Sequence, residues 1–122
     1  MSLKGLGRMA AIGLQRPWLV PYLGRMIRHV VVFRWLEGTT PEQIAALRAG
    51  LDGLPGAVPS ILTYSYGPDL QLGEGRWDYA VVGDFADARG YQAYVDHPVH
   101  DAVRRDLIMP LVADRANVQI QL

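Results

Sequence analysis

Residues 27–36, IRHVVVFRWL, alternate without a helical stripe and are apolar on both faces: Ile27, His29, Val31, Phe33 and Trp35 on one, Val30, Val32 and Leu36 on the other. Such β-branched and aromatic density favours a strand, and one greasy on both sides is covered on both sides. Thr40, Pro41 and Gln43 then form a capping box that opens a helix. Ile44, Leu47, Leu51 and Leu54 recur at helical spacing until Gly53 and the following Pro-Gly stop it. Residues 58–70 alternate Leu62, Tyr64 and Tyr66 against Ile61, Thr63 and Ser65, predicting a second strand. Residues 77–85 predict a third, with Trp77, Tyr79, Val81 and Phe85 opposite Asp78, Ala80, Val82 and Asp84. Asp87 can cap a short helix carrying Tyr91, Tyr94 and Val95 that ends at His97-Pro98. Pro98 suits the first turn of another helix, with Val99, Ala102, Val103 and Leu107 inward until Pro110. The closing ANVQIQL alternates again, and is expected to turn Ala116, Val118, Ile120 and Leu122 inward and Asn117, Gln119 and Gln121 outward.

The resulting order, β-α-β-β-α-α-β, is the split βαβ or ferredoxin-like arrangement: an α+β domain with one antiparallel sheet and its helices on one side. Val30, Val32, Ala80 and Val82 would then lie on the side opposite the helices, in water if the chain were alone. Burying apolar surface is worth about 25 cal/mol per Å2, enough to drive two such sheets together. A symmetric homodimer paired through its sheet faces is the expected partnership.

Composition narrows the picture. The 122 residues suit one domain, and 50% hydrophobic content suits a packed core. Twelve basic and twelve acidic residues give no net charge, so nucleic acid is not an expected partner. Residues 1–28 carry five of the cations (Lys4, Arg8, Arg16, Arg25 and Arg28) and no acid. With MSL reading as an expression leader and Met26 as a credible start, residues 1–25 are expected to be an N-terminal extension and 26–122 the domain. The apolar patches within that extension are interrupted by Arg16, Pro17 and Pro21, so no membrane span is expected. The chain has no cysteine, which excludes disulfides, thiolate metal sites and cysteine nucleophiles, and fits an expected cytoplasmic location.

The candidate chemistry gathers in YVDHPVH, residues 94–100, together with His29. At a helix start, backbone donors and the positive dipole end disfavour imidazolium, which leaves His100 neutral. A neutral histidine in an apolar cavity can remove a proton from a carbon acid, and a tyrosine such as Tyr94 can hold the developing enolate oxygen. Against this stand the plainer readings: His100 and His29 as buried histidines bonded to the chain, and Tyr91 and Tyr94 as packing. His97 before Pro98 reads as a cap or turn residue. His97 and His100 at i, i+3 make at most half of a metal site, so no metal is expected. GLG at 5–7 and GEG at 73–75 are too short for phosphate loops.

Taken together, IRHVVVFRW, TPEQIAAL, GLPG, YGPDL, WDYAVVGDF, YVDHPVH and the closing strand resemble the stress-responsive dimeric A/B barrel (Dabb) family over about residues 26–122. The resemblance implies a homodimer whose eight strands enclose a barrel. One plant branch of that family is a polyketide cyclase, which performs an aldol condensation without a cofactor. Its catalytic tyrosine and histidine match Tyr94 and His100, and its first-strand histidine matches His29. The cyclase has a strand-three histidine where this chain reads Asp78 or Tyr79, and Leu51 stands where a pocket tyrosine is expected. Phe33, Trp35, Trp77 and Tyr79 are the expected pocket lining for a small keto or polyketide-like molecule, and equally good core residues. Two other readings stay open: a non-catalytic stress-associated or small-molecule-binding dimer, and a haem-degrading or antibiotic-type monooxygenase on the same fold.

Overall fold

The computed structural model describes residues 24–122. The N-terminal extension expected over residues 1–25 lies outside the described residues, apart from Gly24 and Arg25. Four strands, β1 (Ile27–Trp35), β2 (Thr63–Pro68), β3 (Tyr79–Phe85) and β4 (Val112–Gln121), form one sheet in the order β2-β3-β1-β4. Every neighbouring pair is antiparallel. The ferredoxin-like α+β reading of the element order therefore holds.

Helix α1 (Pro41–Asp52) starts as its sequence dictates. Gln43 N–H donates to the Thr40 hydroxyl at 3.2 Å, and the Gln43 side-chain oxygen accepts from Thr40 N–H at 2.9 Å. Leu47 and Leu51 are its fully buried residues. Gly53 closes the helix with φ −80°, an ordinary right-handed conformation, and the chain immediately makes a further turn, α2 (Leu54–Ala57). Pro55 near its start explains why the expected stop becomes a restart, since its missing N–H falls where no helical bond is required.

Helix α3 (Ala88–Asp96) is capped by Asp87, whose carboxylate accepts from Arg89 N–H and Gly90 N–H at 3.0 Å each. It ends at His97, and α4 (Pro98–Val103) follows at once. A wide π-helical turn, Arg104–Ile108, and a tight turn, Met109–Leu111, then carry the chain past Pro110 into β4. The core packs between these helices and one face of the sheet, around Phe33, Leu47, Leu51, Leu54, Val81 and Phe85.

The register fixes which residues share a face, because directly opposed residues in an antiparallel pair point the same way. On the helix-covered face one row reads Tyr64, Gly83, His29, Gln119 across the four strands. The next reads Tyr66, Val81, Val31, Asn117, and the next Pro68, Tyr79, Phe33, Arg115. On the open face the rows are Thr63, Asp84, Arg28, Ile120; then Ser65, Val82, Val30, Val118; then Gly67, Ala80, Val32, Ala116.

This overturns the expected facing of the last strand. Asn117 and Gln119 share the helix-side rows, whereas Val118 and Ile120 lie on the open face, 55% and 48% exposed. Alternation identifies the two sets but carries no label for which surface the helices cover. β4 also begins at Val112, four residues before the expected alternation, because it pairs with β1 as far as Trp35. The outcome is a more continuous apolar open face than β1 and β3 alone provide.

One corner of that face is polar. Arg28 donates through Nε and Nη2 to the two Asp84 oxygens at 2.8 and 3.0 Å, and the Thr63 hydroxyl donates to Asp84 at 2.7 Å. Asp84 is only 5% exposed, and the bidentate guanidinium holds its carboxyl below the usual range.

Candidate active site

A cavity of about 390 Å3 opens between the helix-side face of the sheet and the α3–α4 corner. Its floor comes from β1 and β4, including His29, Phe33 and Asn117, and its wall from Tyr94 and His100. Each of these is placed by a local rule of the chain. His29 is the third residue of a strand whose odd positions face the helices. Tyr94 lies in the last turn of α3, and His100 in the first turn of α4. Between them His97 and Pro98 turn the chain: His97 Nδ1 accepts from Val99 N–H at 3.1 Å, and Pro98 fills the first helical position.

The corner brings Tyr94 and His100 into ring contact, with centroids 4.1 Å apart and planes tilted by 41°. The His29 ring is 6.1 Å from Tyr94 and 5.1 Å from Tyr91. His100 Nδ1 lies 3.3 Å from the Val95 carbonyl oxygen. A carbonyl only accepts, so Nδ1 carries the proton and Nε2 keeps its lone pair. No hydrogen bond among the described residues engages that Nε2. Burial, the leading cause, pushes the His100 pKa below its ordinary value; the Val95 carbonyl opposes this only in part.

His29 has the complementary arrangement. The Gln119 side-chain amide nitrogen donates to its Nδ1 at 2.9 Å and to Asn117 at 3.1 Å, so the proton sits on Nε2. Burial first, and His100 second, lower the His29 pKa to about 4. The cavity thus presents two neutral imidazoles in opposite tautomers. One offers a free lone pair and the other an N–H.

Tyr94 is 3% exposed, and its hydroxyl lies 2.8 Å from that of Tyr64. Burial is the main cause raising the Tyr94 pKa to about 12, and the bond from Tyr64 partly offsets it. Burial pushes Tyr64 further up still. When Tyr64 donates, the Tyr94 O–H is free to donate to a third oxygen. Gly83 makes room for this pair: a Cβ there would stand 3.2 Å from the Tyr64 ring and 3.3 Å from the Phe85 ring.

Of the expected lining residues, only Phe33 borders this cavity. Trp35 stacks on Phe33 with centroids 5.4 Å apart and planes within 8° of parallel, facing away toward Tyr79 at 5.7 Å. Trp77 and Tyr79 border a separate hollow of about 440 Å3 with Val32, Ala80 and the loop carrying Leu70 and Leu72. The physical reason is the strand: the cavity lies over β1 and β4, where Phe33 and Arg115 share the row of Tyr79, whereas Tyr79 itself stands on β3. Conversely, sequence reasoning did not single out Tyr64, Gln119, Asn117 or Arg115. The pairing of β2 and β4 with the inner strands was the missing information. Among the described residues no group of three or more His, Asp or Glu side chains could hold a metal, and no helix is long and apolar enough to cross a membrane.

A four-stranded antiparallel sheet with helices on one face, and a histidine–tyrosine cavity between the layers, defines a ferredoxin-like α+β protein with an internal site. The profile of the Stress responsive A/B Barrel Domain (Dabb) matches residues 27–121, and the chain belongs to that family. A dimeric ferredoxin-like protein of unknown function from Thermobifida fusca is 42% identical, with a TM-score of 0.75 over 83% of this chain and 94% of that one. A Dabb family protein from Mesorhizobium loti is 23% identical, with a TM-score of 0.68 over 79% and 95%. A hydroxynitrile lyase from Passiflora edulis is 17% identical, with a TM-score of 0.72 over 81% and 94%. The last two likenesses show the fold alone. No curated protein sequence matches the chain significantly.

Proposed function

We propose that this Dabb-family chain is a homodimeric, cofactor-independent enzyme that moves a proton at a carbon beside a carbonyl, in an aldol or cyclase-type reaction of a small keto or polyketide-like molecule. His100 is the base, acting through Nε2. Tyr94 donates its hydroxyl to the carbonyl oxygen as negative charge develops there, and His29 Nε2–H is a second donor. The observation that carries this reading is the commitment of His100 Nδ1 to the Val95 carbonyl, which leaves a neutral imidazole with a free lone pair beside the part-buried Tyr94–Tyr64 hydroxyl pair. A carbon acid needs both, since removing its proton without stabilising the oxyanion leaves most of the barrier in place. The hydroxynitrile lyase on a related fold supports the reading at the level of the scaffold.

The apolar open face, with Val30, Val32, Val82, Val118 and Ile120, supports a dimer closed sheet to sheet, and the T. fusca protein, itself dimeric, supports a dimer. The test of the chemistry is exchange of the α-hydrogens of methyl pentyl ketone into heavy water, followed by NMR. Exchange above the buffer rate is expected, falling at least a hundredfold in His100→Ala and at least tenfold in Tyr94→Phe. Exchange at the buffer rate in the parent protein, or survival in both variants, overturns the proposal. A Soret band on titration with haem would instead favour the monooxygenase reading.

A further inference from the structure

Arg115 borders the same cavity, at the end away from His29. It stands in the third helix-side row, opposite Phe33 on β1, with Tyr79 beyond. Every other residue of that row and of the row before it is uncharged: Pro68, Tyr79 and Phe33, then Tyr66, Val81, Val31 and Asn117. The neighbouring acid, Asp114, belongs to the other face by alternation and pairs with Arg34 at 3.5 Å. The helical wall brings Asp96, Asp101 and Arg104 to the cavity, and Asp101 is engaged by Arg104 at 3.2 Å and Arg105 at 3.3 Å. No ion pair among the described residues engages the Arg115 guanidinium. Among the described residues, therefore, the sheet wall carries one cation without an ion-pair partner, at the rim of an otherwise neutral floor.

We infer that Arg115 is a specificity residue that selects a substrate bearing a carboxylate remote from its reacting carbonyl. A guanidinium offers a carboxylate two parallel donors, which an ester or an amide cannot use in the same way. Arg115 is four residues from Gln119, the partner of His29 across the strands, or about 14 Å of strand. A side chain reaching back along the floor spans part of that length. The anionic group thus lies several bonds from the carbonyl that meets the histidines, as in a medium-chain keto acid. Arg115 touches no reacting atom in this scheme; it sets which molecule is held. The inference rests on the carbonyl site proposed above.

The experiment compares the keto acid δ-acetylvalerate with its methyl ester by NMR titration of the His100 and His29 ring signals. The acid is expected to bind the parent protein about tenfold more tightly than the ester. In Arg115→Gln the ratio falls to near one, and Arg115→Lys, with charge but no fork, lies between. Equal binding of acid and ester to the parent protein, no binding of either, or retention of the preference in Arg115→Gln overturns the inference. Ketone hydrogen exchange is read in the same samples with methyl pentyl ketone, which has no carboxylate. Exchange without acid preference removes the role of Arg115 alone; loss of both removes the carbonyl site beneath it.

Discussion

The Tyr94 and His100 rings touch at 4.1 Å across the break between two helices. That contact exists because Pro98 cannot continue α3 and can begin α4, so the chain turns within one residue at His97. A tyrosine in the last turn of one helix and a histidine in the first turn of the next then share a corner over the sheet.

The break itself can be tested. In His97→Ala the Nδ1 cap to Val99 N–H is lost, which costs about 1 kcal/mol of stability. Ketone hydrogen exchange should fall only a few-fold, since His97 meets no reacting atom in the proposed scheme. Urea denaturation and the exchange assay together check this. A loss of exchange as large as that of His100→Ala would mean that His97 takes part in the chemistry as well as in the cap.

Much of this site was legible because its parts are punctuated. Thr40-Pro41 and Asp87 announce helix starts, and His97-Pro98 announces the corner. The odd positions of IRHVVVFRW place His29 with Val31 and Phe33. What was not legible depended on pairing between distant strands. Tyr64 reads as an ordinary alternating aromatic until β2 is docked on β3, which sets it beside Gly83 and under Tyr94. Asn117 and Gln119 read as the outward set of the last strand, yet that strand turns them toward the helices. Polar residues there are tolerable because the cavity, not close-packed core, lies above them. Trp35 and Trp77 were plausible lining by composition but fall at the other end of the sheet, where they pack on Phe33 and on the loop after β2.

Removing the hydroxyl that supports Tyr94 separates support from catalysis. Tyr64→Phe leaves the ring packing and deletes one part-buried hydrogen bond, a loss of about 1 kcal/mol. Because the Tyr64 bond lowers the Tyr94 pKa, its removal should raise that pKa further and slow hydrogen exchange several-fold. Tyrosinate absorbance against pH reads the first effect and NMR the second. Unchanged titration of the Tyr94 signal would exclude this coupling.

Acid should weaken the fold before it weakens most proteins. Buried His29 and half-buried His100 both have pKa values below their unfolded value of about 6.5, His29 at about 4. Between those limits the unfolded chain binds more protons than the folded one, so stability falls as pH drops. The stability is complete above about pH 7, and His29 alone accounts for about 3 kcal/mol of loss by pH 4. Urea unfolding at several pH values should show this slope, and His29→Gln should flatten it. By the same sign the acid limb of the exchange rate should lie below the ordinary histidine range, since His100 stays neutral there.

The open face supplies the last test. Val118 and Ile120 lie beside Val30, Val82 and the Arg28–Asp84 pair, so a dimer closed over this face would bury apolar side chains at its centre and a satisfied ion pair at its edge. A carboxylate placed in that centre would lose its hydration without gaining a partner, a cost of several kcal/mol that apolar contact at about 25 cal/mol per Å2 would not offset. Val118→Asp should therefore give a monomer by sedimentation velocity, with the circular dichroism of the parent retained, since the side chain points away from the core. Asp84→Ala should act differently. It strands Arg28 and the Thr63 hydroxyl within each subunit, so it should lower thermal stability whether or not the subunits separate. A parent protein that already sediments as a monomer, or a Val118→Asp variant that remains a dimer, would place any contact between copies elsewhere on the molecule.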